Sequence, residues 1–448
     1  MKRKASTKII AMLAVLVLLV SSLAGCSTAG KSTDKEQAAV TDKDQNAATD
    51  NDQASATTER QKVNFWYLWG GDEGKIIEKI IAAYNESQDK YEVVGLSTPD
   101  QQKILTAISG GDGPDIVDDF GGSVPKYASE GIAMPLDDFM TAENFDKSLY
   151  VDAALAQQVF EGKTYALPIS TNVFALYYNK DILAQAGITE PPKTLEELMQ
   201  MSEKTTKLNG KEVEILGSPF ITDSYWYYCY TYAMGGNFGT SADSLTPDNA
   251  AFLKVLDYTK SQADKFGADA LTNFITSGNA KRYTPEDPFC TGKQAFRIDG
   301  PWFYALAKDA GVNFEIMPLP GSSEQGGDGY SMVDTSMVYI PATAKAPEGA
   351  WDFAKYISSG AGAEIFVKEK GDLPAAKALT QDETVINSKP HYKVYLDIIN
   401  KNKLYALPPM SGSSVYDQNL RQAVSSVLLG NSVDDAKAQL LQSMANID

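Results

Sequence analysis

Histidine and cysteine are scarce in this chain. Its 448 residues include one histidine, His391, and three cysteines, Cys26, Cys229 and Cys290. A single histidine excludes histidine-rich metal sites, and the spacings CxxC and HExxH do not occur. A GxSxG nucleophile elbow is also missing. We therefore expect no metal site, no cofactor and no catalytic residues of these classes.

Basic residues are also fewer than acidic residues. The chain carries 40 lysines and arginines against 58 aspartates and glutamates, a formal net charge of −18. The segment before Cys26 holds four basic residues and no acid, so the chain from Cys26 onward is four units more negative, at −22. Such a surface repels nucleic acids and anionic lipids, which excludes both as partners of the folded part.

The apolar run near the N-terminus, residues 9–20, is shorter than the roughly 20 residues that a membrane-spanning helix needs. It follows basic residues at positions 2–4 and precedes small residues, a pattern typical of a secretory signal. Leu23-Ala24-Gly25-Cys26 resembles a bacterial lipobox, which implies cleavage before Cys26 and acylation of Cys26, with palmitate among the possible chains. The alternative is an ordinary signal peptide with a chance cysteine. We predict a signal peptide over residues 1–25 and a lipid anchor at the outer face of the cytoplasmic membrane.

Residues 26–62 are predicted to form a disordered linker, because they contain almost no large apolar side chain. From Val63 to Val117 the patterns of strand, helix, strand, helix and strand follow one another. The helix over residues 73–86 places its isoleucines on one face. This order predicts an α/β fold with a mostly parallel sheet flanked by helices, in which ligands bind beyond the carboxyl ends of strands.

The second half of the chain is predicted to be mainly helical. Thr194 and Glu197 have the spacing of a capping box at the start of one helix. The predicted helices cover residues 181–186, 194–208, 224–234, 248–266, 347–358, 416–429 and 433–444, and further strands cover 295–298 and 337–340. Cys229 and Cys290 either form a disulfide, which an exported location would permit, or remain buried thiols.

Several short motifs occur in an ordered series. They are Gly-Pro-Asp-Ile-Val at 113–117, Gly-Gly at 121–122, Tyr-Ala at 127–128, Gly-Lys-Thr-Tyr-Ala-Leu-Pro at 162–168, Tyr-Tyr-Asn-Lys-Asp at 177–181, Pro-Pro-Lys-Thr at 191–194, Asp-Gly-Pro-Trp at 299–302 and Met-Pro-Leu-Pro-Gly at 317–321. In order and spacing, this series resembles the extracellular solute-binding proteins of carbohydrate ABC importers, the family of the maltose-binding protein. The resemblance covers about residues 63–445 and agrees with the lipobox, since Gram-positive members of the family are usually lipoproteins.

The resemblance implies a two-lobed fold of the periplasmic-binding-protein type II, in which each lobe has a mostly parallel sheet flanked by helices and the ligand cleft lies between the lobes. Lobe 1 would comprise residues 63–170 and 334–373, and lobe 2 residues 171–333 and 374–448. The chain would cross between the lobes near residues 170–172, 333–335 and 373–374. Such crossings form a hinge that lets the lobes close around a ligand.

A sugar presents hydroxyl groups and apolar C–H faces, so its site needs aromatic platforms beside planar hydrogen-bonding groups. By resemblance, Trp302 is the leading candidate for a platform, the alternative being packing inside the lobe. Asp299 either acts beside Trp302 or organises the turn. Trp69 and Asp72 follow the first strand next to two glycines, and Asp72 is equally a candidate helix N-cap.

Two further candidates lie near the predicted hinge. Adjacent residues of a strand point to opposite faces, so one of Asp118 and Asp119 is expected to face the cleft. Asp119 matches the cleft-facing position by resemblance, the alternative being a solvated turn. Asn172 stands where the maltose-binding relative carries a ligand-binding acid, and its amide can still donate and accept hydrogen bonds.

The remaining candidates lie at the starts of two helices. Asp223 and Tyr225 match ligand contacts of the maltose-binding relative, with Trp226 beside them, although Asp223 could instead cap the helix. Tyr416 and Arg421 match a family segment that carries an aromatic platform and a cleft arginine. For Arg421, ligand contact and an intramolecular salt bridge are both open.

Together these features predict a receptor rather than an enzyme. It would be lipid-anchored through Cys26, monomeric, and would bind a carbohydrate, in particular an oligosaccharide, for delivery to ABC transporter permease subunits. The alternatives are a surface glycoside hydrolase, since acidic residues are abundant, and a glycan-binding adhesin or sensor.

Overall fold

The computed structural model describes residues 59–219, 225–326, 330–401 and 403–444. The predicted signal peptide, Cys26, nearly all of the linker and Asp223 lie outside these ranges. Within them, no helix is both long enough and apolar enough to cross a bilayer. The same ranges hold no group of three or more histidine, cysteine, aspartate or glutamate side chains arranged for a metal ion.

The described residues form fifteen strands and eighteen α-helices. The strands are β1 (Gln61–Tyr67), β2 (Tyr91–Ser97), β3 (Ile116–Phe120), β4 (Val159–Phe160), β5 (Lys163–Thr164), β6 (Ala166–Pro168), β7 (Asn172–Val173), β8 (Ala175–Asn179), β9 (Lys207–Asn209), β10 (Glu212–Ile215), β11 (Phe296–Asp299), β12 (Phe314–Met317), β13 (Ser331–Asp334), β14 (Ser336–Tyr339) and β15 (Leu404–Tyr405). The helices are α1 (Gly71–Ser87), α2 (Gln101–Ser109), α3 (Val124–Ser129), α4 (Asp137–Ala142), α5 (Asp152–Ala156), α6 (Lys180–Gln185), α7 (Leu195–Thr205), α8 (Tyr225–Ala233), α9 (Ala250–Phe266), α10 (Ala268–Asn279), α11 (Phe303–Asp309), α12 (Pro347–Ser359), α13 (Ala361–Ile365), α14 (Lys377–Thr380), α15 (Glu383–Ile386), α16 (Tyr392–Asn400), α17 (Ser413–Leu428) and α18 (Val433–Met444).

The first lobe is built on a five-stranded sheet with the order β2-β1-β3-β14-β6. β1 is parallel to both β2 and β3, as the alternation of strands and helices predicted. β14, which returns from the second lobe, runs antiparallel to β3 and β6. α1 packs through Ile77, Ile80, Ile81 and Tyr84, which are buried at helical spacing. Burial of each isoleucine contributes roughly 1.5–3 kcal/mol, which holds α1 against the sheet.

Apolar residues cover both faces of this sheet. Along β1, Val63 and Phe65 belong to the cluster that contains Phe353 of α12, whereas Trp66 packs against the opposite cluster around Ile104 of α2. This alternation is the period of two that a strand imposes on its side chains. The sheet is therefore the middle layer of a three-layer arrangement.

The main sheet of the second lobe has three strands in the order β11-β8-β12, and both pairs are antiparallel. The expectation of a mostly parallel sheet in each lobe is therefore wrong for this lobe. An apolar strand pattern indicates where a strand lies but carries no information on the direction of its neighbours, and the partners of β8 come from far along the chain. Helices α8, α9 and α17 pack in the core of this lobe through residues such as Tyr228, Phe252 and Leu420.

The local signals at helix starts are partly confirmed. Asp100 caps α2 by accepting a hydrogen bond from the Lys103 backbone N–H. Thr194 caps α7 by accepting from the Glu197 N–H at 3.2 Å. The Glu197 carboxylate, however, accepts from the N–H of Lys193 instead of Thr194, so only half of the predicted capping box forms.

Cys229 and Cys290 are both buried thiols, and no disulfide joins them. Cys229 lies in the apolar core of the second lobe, whereas Cys290 belongs to the cluster that also contains the first-lobe sheet. Of the two alternatives open from the sequence, the structure therefore has the buried thiols. Burial raises the pKa of the Cys290 thiol to about 11, which keeps it protonated and unreactive.

Candidate functional site

Three passages of the chain lie side by side where the lobes meet. β7 and β13 pair antiparallel, and their register places Asp334 opposite Asn172. The third passage joins them, because the backbone N–H of Thr171 donates to the Leu373 carbonyl at 2.9 Å. These segments include those near which the resemblance implies crossings between the lobes. A few backbone residues in such passages are enough to absorb a change in lobe orientation.

A cleft of about 350 Å³ opens beside these passages, and its walls come from both lobes. Its lining residues are Gly121, Gly122, Ser123, Pro125, Gln157, Tyr225, Tyr228, Met332, Val333, Asp334, Leu407, Pro408, Pro409, Ser413, Ser414 and Asp417. A groove of about 590 Å³ lies elsewhere, between the β9–β10 hairpin and α10, and is lined mainly by charged and small polar side chains. The interlobe cleft is the better candidate, because it lies at the hinge and joins aromatic rings to buried acceptors.

The aromatic wall of the cleft is formed at the start of α8. Tyr225 lines the cleft and stacks on Phe174, with ring centroids 4.0 Å apart. Trp302 contacts Phe174 edge-on at 5.7 Å and is partly exposed. Trp302 is therefore not among the residues that line the cleft, but it joins Tyr225 through Phe174 in one aromatic group.

Most of the aromatic run in α8 forms core, as its distribution around the helix predicted. Trp226 is 5% exposed and packs edge-on against Tyr227 and Tyr230. Trp226 therefore does not line the cleft. Tyr228, one turn after Tyr225, does reach it, since residues three apart on a helix share a face.

The acidic wall of the cleft is formed by α17. Asp417 lines the cleft and accepts hydrogen bonds from the Tyr228 hydroxyl and from Arg421 Nη2, the latter at 2.8 Å. The salt-bridge alternative for Arg421 is thus the one the structure contains. Tyr416 is fully buried and donates to the Phe238 carbonyl at 2.9 Å. The prediction of a cleft-facing Tyr416 is wrong, because one residue along a helix turns the side chain by about 100° and brings Asp417 to the cleft instead.

Two more carboxylates lie at the base of the cleft. Asp119 is 2% exposed and accepts hydrogen bonds from Gln101 at 2.6 Å and from the Tyr127 hydroxyl. Burial raises the pKa of Asp119 despite these bonds. Asp334 lines the cleft itself, and burial, with the charge of Asp119 adding to it, raises its pKa to about 6. Asp119 therefore lies behind the cleft surface, and the acid that reaches the cleft at this position is the partly buried Asp334.

Asp118, the neighbour of Asp119, points to the other side of the sheet. Its carboxylate accepts a hydrogen bond from the Leu68 N–H at 2.6 Å, so the expected division of the two acids between the faces of β3 is present. Burial holds the pKa of Asp118 well above its usual value.

Asp299 is buried in an ion-pair network rather than placed on the cleft surface. It pairs with Arg297 at 2.7 Å, and Arg297 also pairs with Asp287 at 3.0 Å. The Tyr283 hydroxyl donates to Asp299 at 3.1 Å and accepts a hydrogen bond from Trp302 Nε1 at 3.1 Å. Of the two readings of Asp299, the structure supports the one in which it organises the turn that carries Trp302.

Trp69 and Asp72 are not at the cleft. Trp69 is 9% exposed and packs edge-on against Phe366, with Lys370 Nζ 5.6 Å from its ring. The Asp72 side chain is 95% exposed and pairs with Lys75 at 2.8 Å. Gly70, not Asp72, is the N-cap of α1, so the capping alternative for Asp72 is also wrong. Asp223 lies outside the described residues.

Sequence reasoning missed several residues that line the cleft. Gln157 and Asp334 come from segments with no distinctive motif, and Tyr228 stands in an aromatic run in which the sequence does not show which rings face the cleft. Pro408 and Pro409 form a pair that marks an irregular connection, which is a usable signal for a loop near a site. Aromatic faces beside carboxylate and amide acceptors suit a neutral ligand that carries both C–H surfaces and hydroxyl groups.

Comparison with known proteins agrees with this geometry. A model of the family described as bacterial extracellular solute-binding protein matches residues 79–394. The chain is 25% identical over 340 residues to the maltotriose-binding protein of Pyrococcus abyssi, covering 74% of this chain and 70% of the relative. It is 27% identical over 322 residues to the galactooligosaccharide-binding protein of Bacillus subtilis, covering 70% and 73%.

Solved structures show the same fold. The structure described as CpMnBP1 with mannobiose bound has a TM-score of 0.73 and 25% identity, covering 86% of this chain and all of the other. The sugar-binding protein MalE of Xanthomonas citri has a TM-score of 0.70 at 19% identity, covering 86% and 96%. The family is one of binding proteins, not enzymes. With its two lobes, its hinge passages and the cleft between them, the chain belongs to the bacterial extracellular solute-binding protein family.

Proposed function

We propose that this protein captures a sugar, in particular an oligosaccharide, in the interlobe cleft and delivers it to the permease subunits of an ABC importer. The observation that carries the proposal is the composition of the cleft walls. Tyr225, backed by Phe174, presents an aromatic face, while Asp417 and Asp334 present carboxylates in the same cleft. An aromatic face removes apolar C–H surface from water, and carboxylates accept charge-assisted hydrogen bonds from hydroxyl groups.

The names of the relatives support the sugar class. They include a maltotriose-binding and a galactooligosaccharide-binding protein, and the similar solved structures include one with mannobiose. These ligands differ in ring and linkage, so they support an oligosaccharide without selecting one. The cleft volume of about 350 Å³ agrees with a ligand of a few rings at most.

Delivery at a membrane accounts for the N-terminal sequence. We infer that Cys26 carries the lipid anchor at the outer face of the cytoplasmic membrane of a Gram-positive bacterium and that residues 26–62 act as a tether. A net charge of −22 after cleavage would keep the folded part away from anionic lipid. The protein would act as a monomer.

A thermal-shift screen tests the sugar class. Mannobiose, maltotriose, galacto-oligosaccharides and their monosaccharides are added to the folded protein, and calorimetry then measures the affinity of each sugar that stabilises it. A ligand at 100 times its Kd should stabilise the protein by about 2.7 kcal/mol. A panel in which no sugar raises the Tm would contradict the proposal.

The hydrolase alternative is tested by following the ligand itself. The protein is incubated with the end-labelled sugar that the screen identifies, and the label is followed by chromatography. A receptor returns the sugar intact after many hours. Appearance of shortened, labelled products in proportion to protein concentration would replace the receptor by a glycoside hydrolase.

A further inference from the structure

Asp334 is the cleft carboxylate with the fewest partners. It ends β13, in the second passage between the lobes. Its carboxylate accepts a hydrogen bond from the Thr335 N–H at 2.9 Å, and no other hydrogen bond or ion pair reaches it from the described residues. Asp417 and Asp119 each accept hydrogen bonds from at least two side chains. A carboxylate has about four acceptor positions, so most of those on Asp334 remain for a ligand.

A second acceptor lies in the same cleft. The Gln157 amide nitrogen donates to the Val333 carbonyl at 3.0 Å, which identifies the other amide atom as the oxygen. That oxygen, Oε1, is buried and has no hydrogen-bond partner among the described residues. A buried amide oxygen without a donor lowers the stability of the ligand-free protein, and a ligand hydroxyl would satisfy it.

The pairing of β7 with β13 places a hydrogen-bond donor, the Asn172 amide nitrogen, next to Asp334. Asn172 is paired directly with Asp334, and paired residues of antiparallel strands have their side chains on the same face. The Asn172 amide oxygen accepts from Ser170 Oγ at 3.3 Å, which leaves its amide nitrogen to donate. The cleft thus has two acceptors, on Asp334 and Gln157, and the buried Asn172 places a donor on the strand paired with Asp334.

We infer that Asp334 and Gln157 together bind two adjacent hydroxyl groups of one sugar ring, and that they select neutral over acidic sugars. The inference rests on the proposed function. The carboxylate and the amide oxygen each need a hydroxyl proton, which a neutral vicinal diol supplies. A uronic acid would instead bring a negative charge towards Asp334, with Asp119 directly behind it, and such a like-charge contact opposes binding.

The same arrangement makes binding depend on pH. Asp119 of β3 is the charged group that acts on the pKa of Asp334, and the partner of Asp334 on β7, Asn172, is neutral. Asp417 of α17 lines the same cleft and is paired with Arg421, while the Thr335 N–H favours the ionised form of Asp334. With a pKa of about 6, roughly one Asp334 in eleven is ionised at pH 5. If the ionised carboxylate is the binding form, affinity falls about tenfold between pH 7.5 and pH 5.

Calorimetry with the neutral sugar found in the screen tests the pair. The variants are Asp334→Asn, Gln157→Met and, as a matched control, Asp309→Asn, an exposed carboxylate at the end of α11. Wild type and D309N should lose about tenfold in affinity from pH 7.5 to pH 5. D334N should bind at least tenfold more weakly at pH 7.5 and show no such pH dependence. Q157M should bind several-fold more weakly and keep the pH dependence.

The free energy of unfolding of each ligand-free protein is the control for folding. It distinguishes a variant that binds more weakly from one that does not fold. The raised pKa means that folded protein binds more protons than unfolded protein between about pH 4 and pH 6. Wild-type stability therefore rises as the pH falls through this window, and the penalty of burying the charge is fully present above pH 6. D334N lacks this penalty, so it should be at least as stable as wild type at pH 7.5.

The outcomes separate the two proposals. If wild type binds the sugar but D334N binds it equally well, or if the uronic acid analogue binds as tightly as the neutral sugar, the assignment of Asp334 is overturned and the receptor function stands. If no sugar of the panel binds wild type, the proposed function fails and this assignment fails with it.

Discussion

At the scale of single residues, the cleft side chains are held by buried partners. The ring of Trp302 folds over Gly300, where an added Cβ would lie 2.2 Å from a ring atom, so a side chain at this position would displace the ring. Trp302 Nε1 donates to Tyr283, whose backbone has a φ of 58°. A left-handed backbone at a large residue is uncommon and costs free energy, so the surrounding contacts hold Tyr283 in place.

Replacement of Trp302 by alanine tests its part in the aromatic group. We expect a loss of sugar affinity of about tenfold or more, since the ring supports Phe174 and Tyr225 and a buried aromatic face contributes roughly 1.5–3 kcal/mol. Titration calorimetry gives the affinity. Trp66→Ala is the matched control. Trp66 is also half-buried, but it packs in the first lobe against the cluster around Ile104. Equal affinities of wild type and W302A would rule out this role.

Arg297 gives a second prediction at this scale. Both of its partners, Asp287 and Asp299, are fully buried. Arg297→Met would leave two carboxylates buried without a counter-charge, and we expect a loss of about 3–5 kcal/mol in the free energy of unfolding. Urea denaturation measures it. Lys75→Met breaks an exposed, solvent-screened pair with Asp72 and should leave the urea midpoint close to that of wild type; a similar effect of both variants would contradict the argument.

At the scale of elements, close approach of the first lobe to the hinge depends on a glycine. The turn after β3 contains Gly121 and Gly122, which both line the cleft. A Cβ at Gly121 would lie 2.1 Å from Thr335 Oγ1 and 3.0 Å from Gln157 Oε1, whereas a Cβ at Gly122 would meet nothing within 4 Å. A side chain at Gly121 would therefore clash with its neighbours, whereas a side chain at Gly122 would have room.

This difference predicts opposite results for two otherwise identical substitutions. Gly121→Ala should destabilise the protein by about 1–3 kcal/mol, since it forces the turn away from the second passage. Gly122→Ala should fold with nearly wild-type stability and serves as the control. Thermal unfolding by circular dichroism compares them. If G121A and G122A melt within a degree of each other, the turn is not held against the passage as described.

At the scale of the whole molecule, the proposed anchor at Cys26 would hold the two-lobed folded part at the membrane. Within the described ranges, no helix is suited to span a bilayer. Each buried CH₂ of an acyl chain contributes about 0.8 kcal/mol to membrane binding, and stable anchoring needs more than one such chain or a second signal. Acylation at both the thiol and the new N-terminus of Cys26 would supply two.

Substitution of Cys26 tests the anchor in the full chain. With Cys26→Ser we expect the protein in the culture medium instead of the membrane fraction, because the thiol that receives the lipid is gone. Fractionation followed by immunoblotting measures this. Cys290→Ala retains Cys26 and should remain with the membrane. Retention of C26S in the membrane fraction would place the anchor elsewhere.

The sequence by itself determined the elements whose signals are local. The spacing of isoleucines in α1, the cap at Thr194 and the parallel pairing of β1 with β2 and β3 follow from patterns within a few residues and from the alternation of strands with helices. These local features depend on short-range periodicity, which a single sequence carries. The family, the two lobes and the class of function were implied by the resemblance of the ordered motifs to a known family.

Only the tertiary structure decided which side chains face the cleft. Asp334 lies opposite Asn172 because two distant strands pair in one register, and Asp417 replaces Tyr416 because a helix is rotated by one residue against its neighbours. The antiparallel sheet of the second lobe is decided in the same way. Register and rotation depend on the packing of segments far apart in the chain, and moving either by one residue turns a side chain from the core to the cleft.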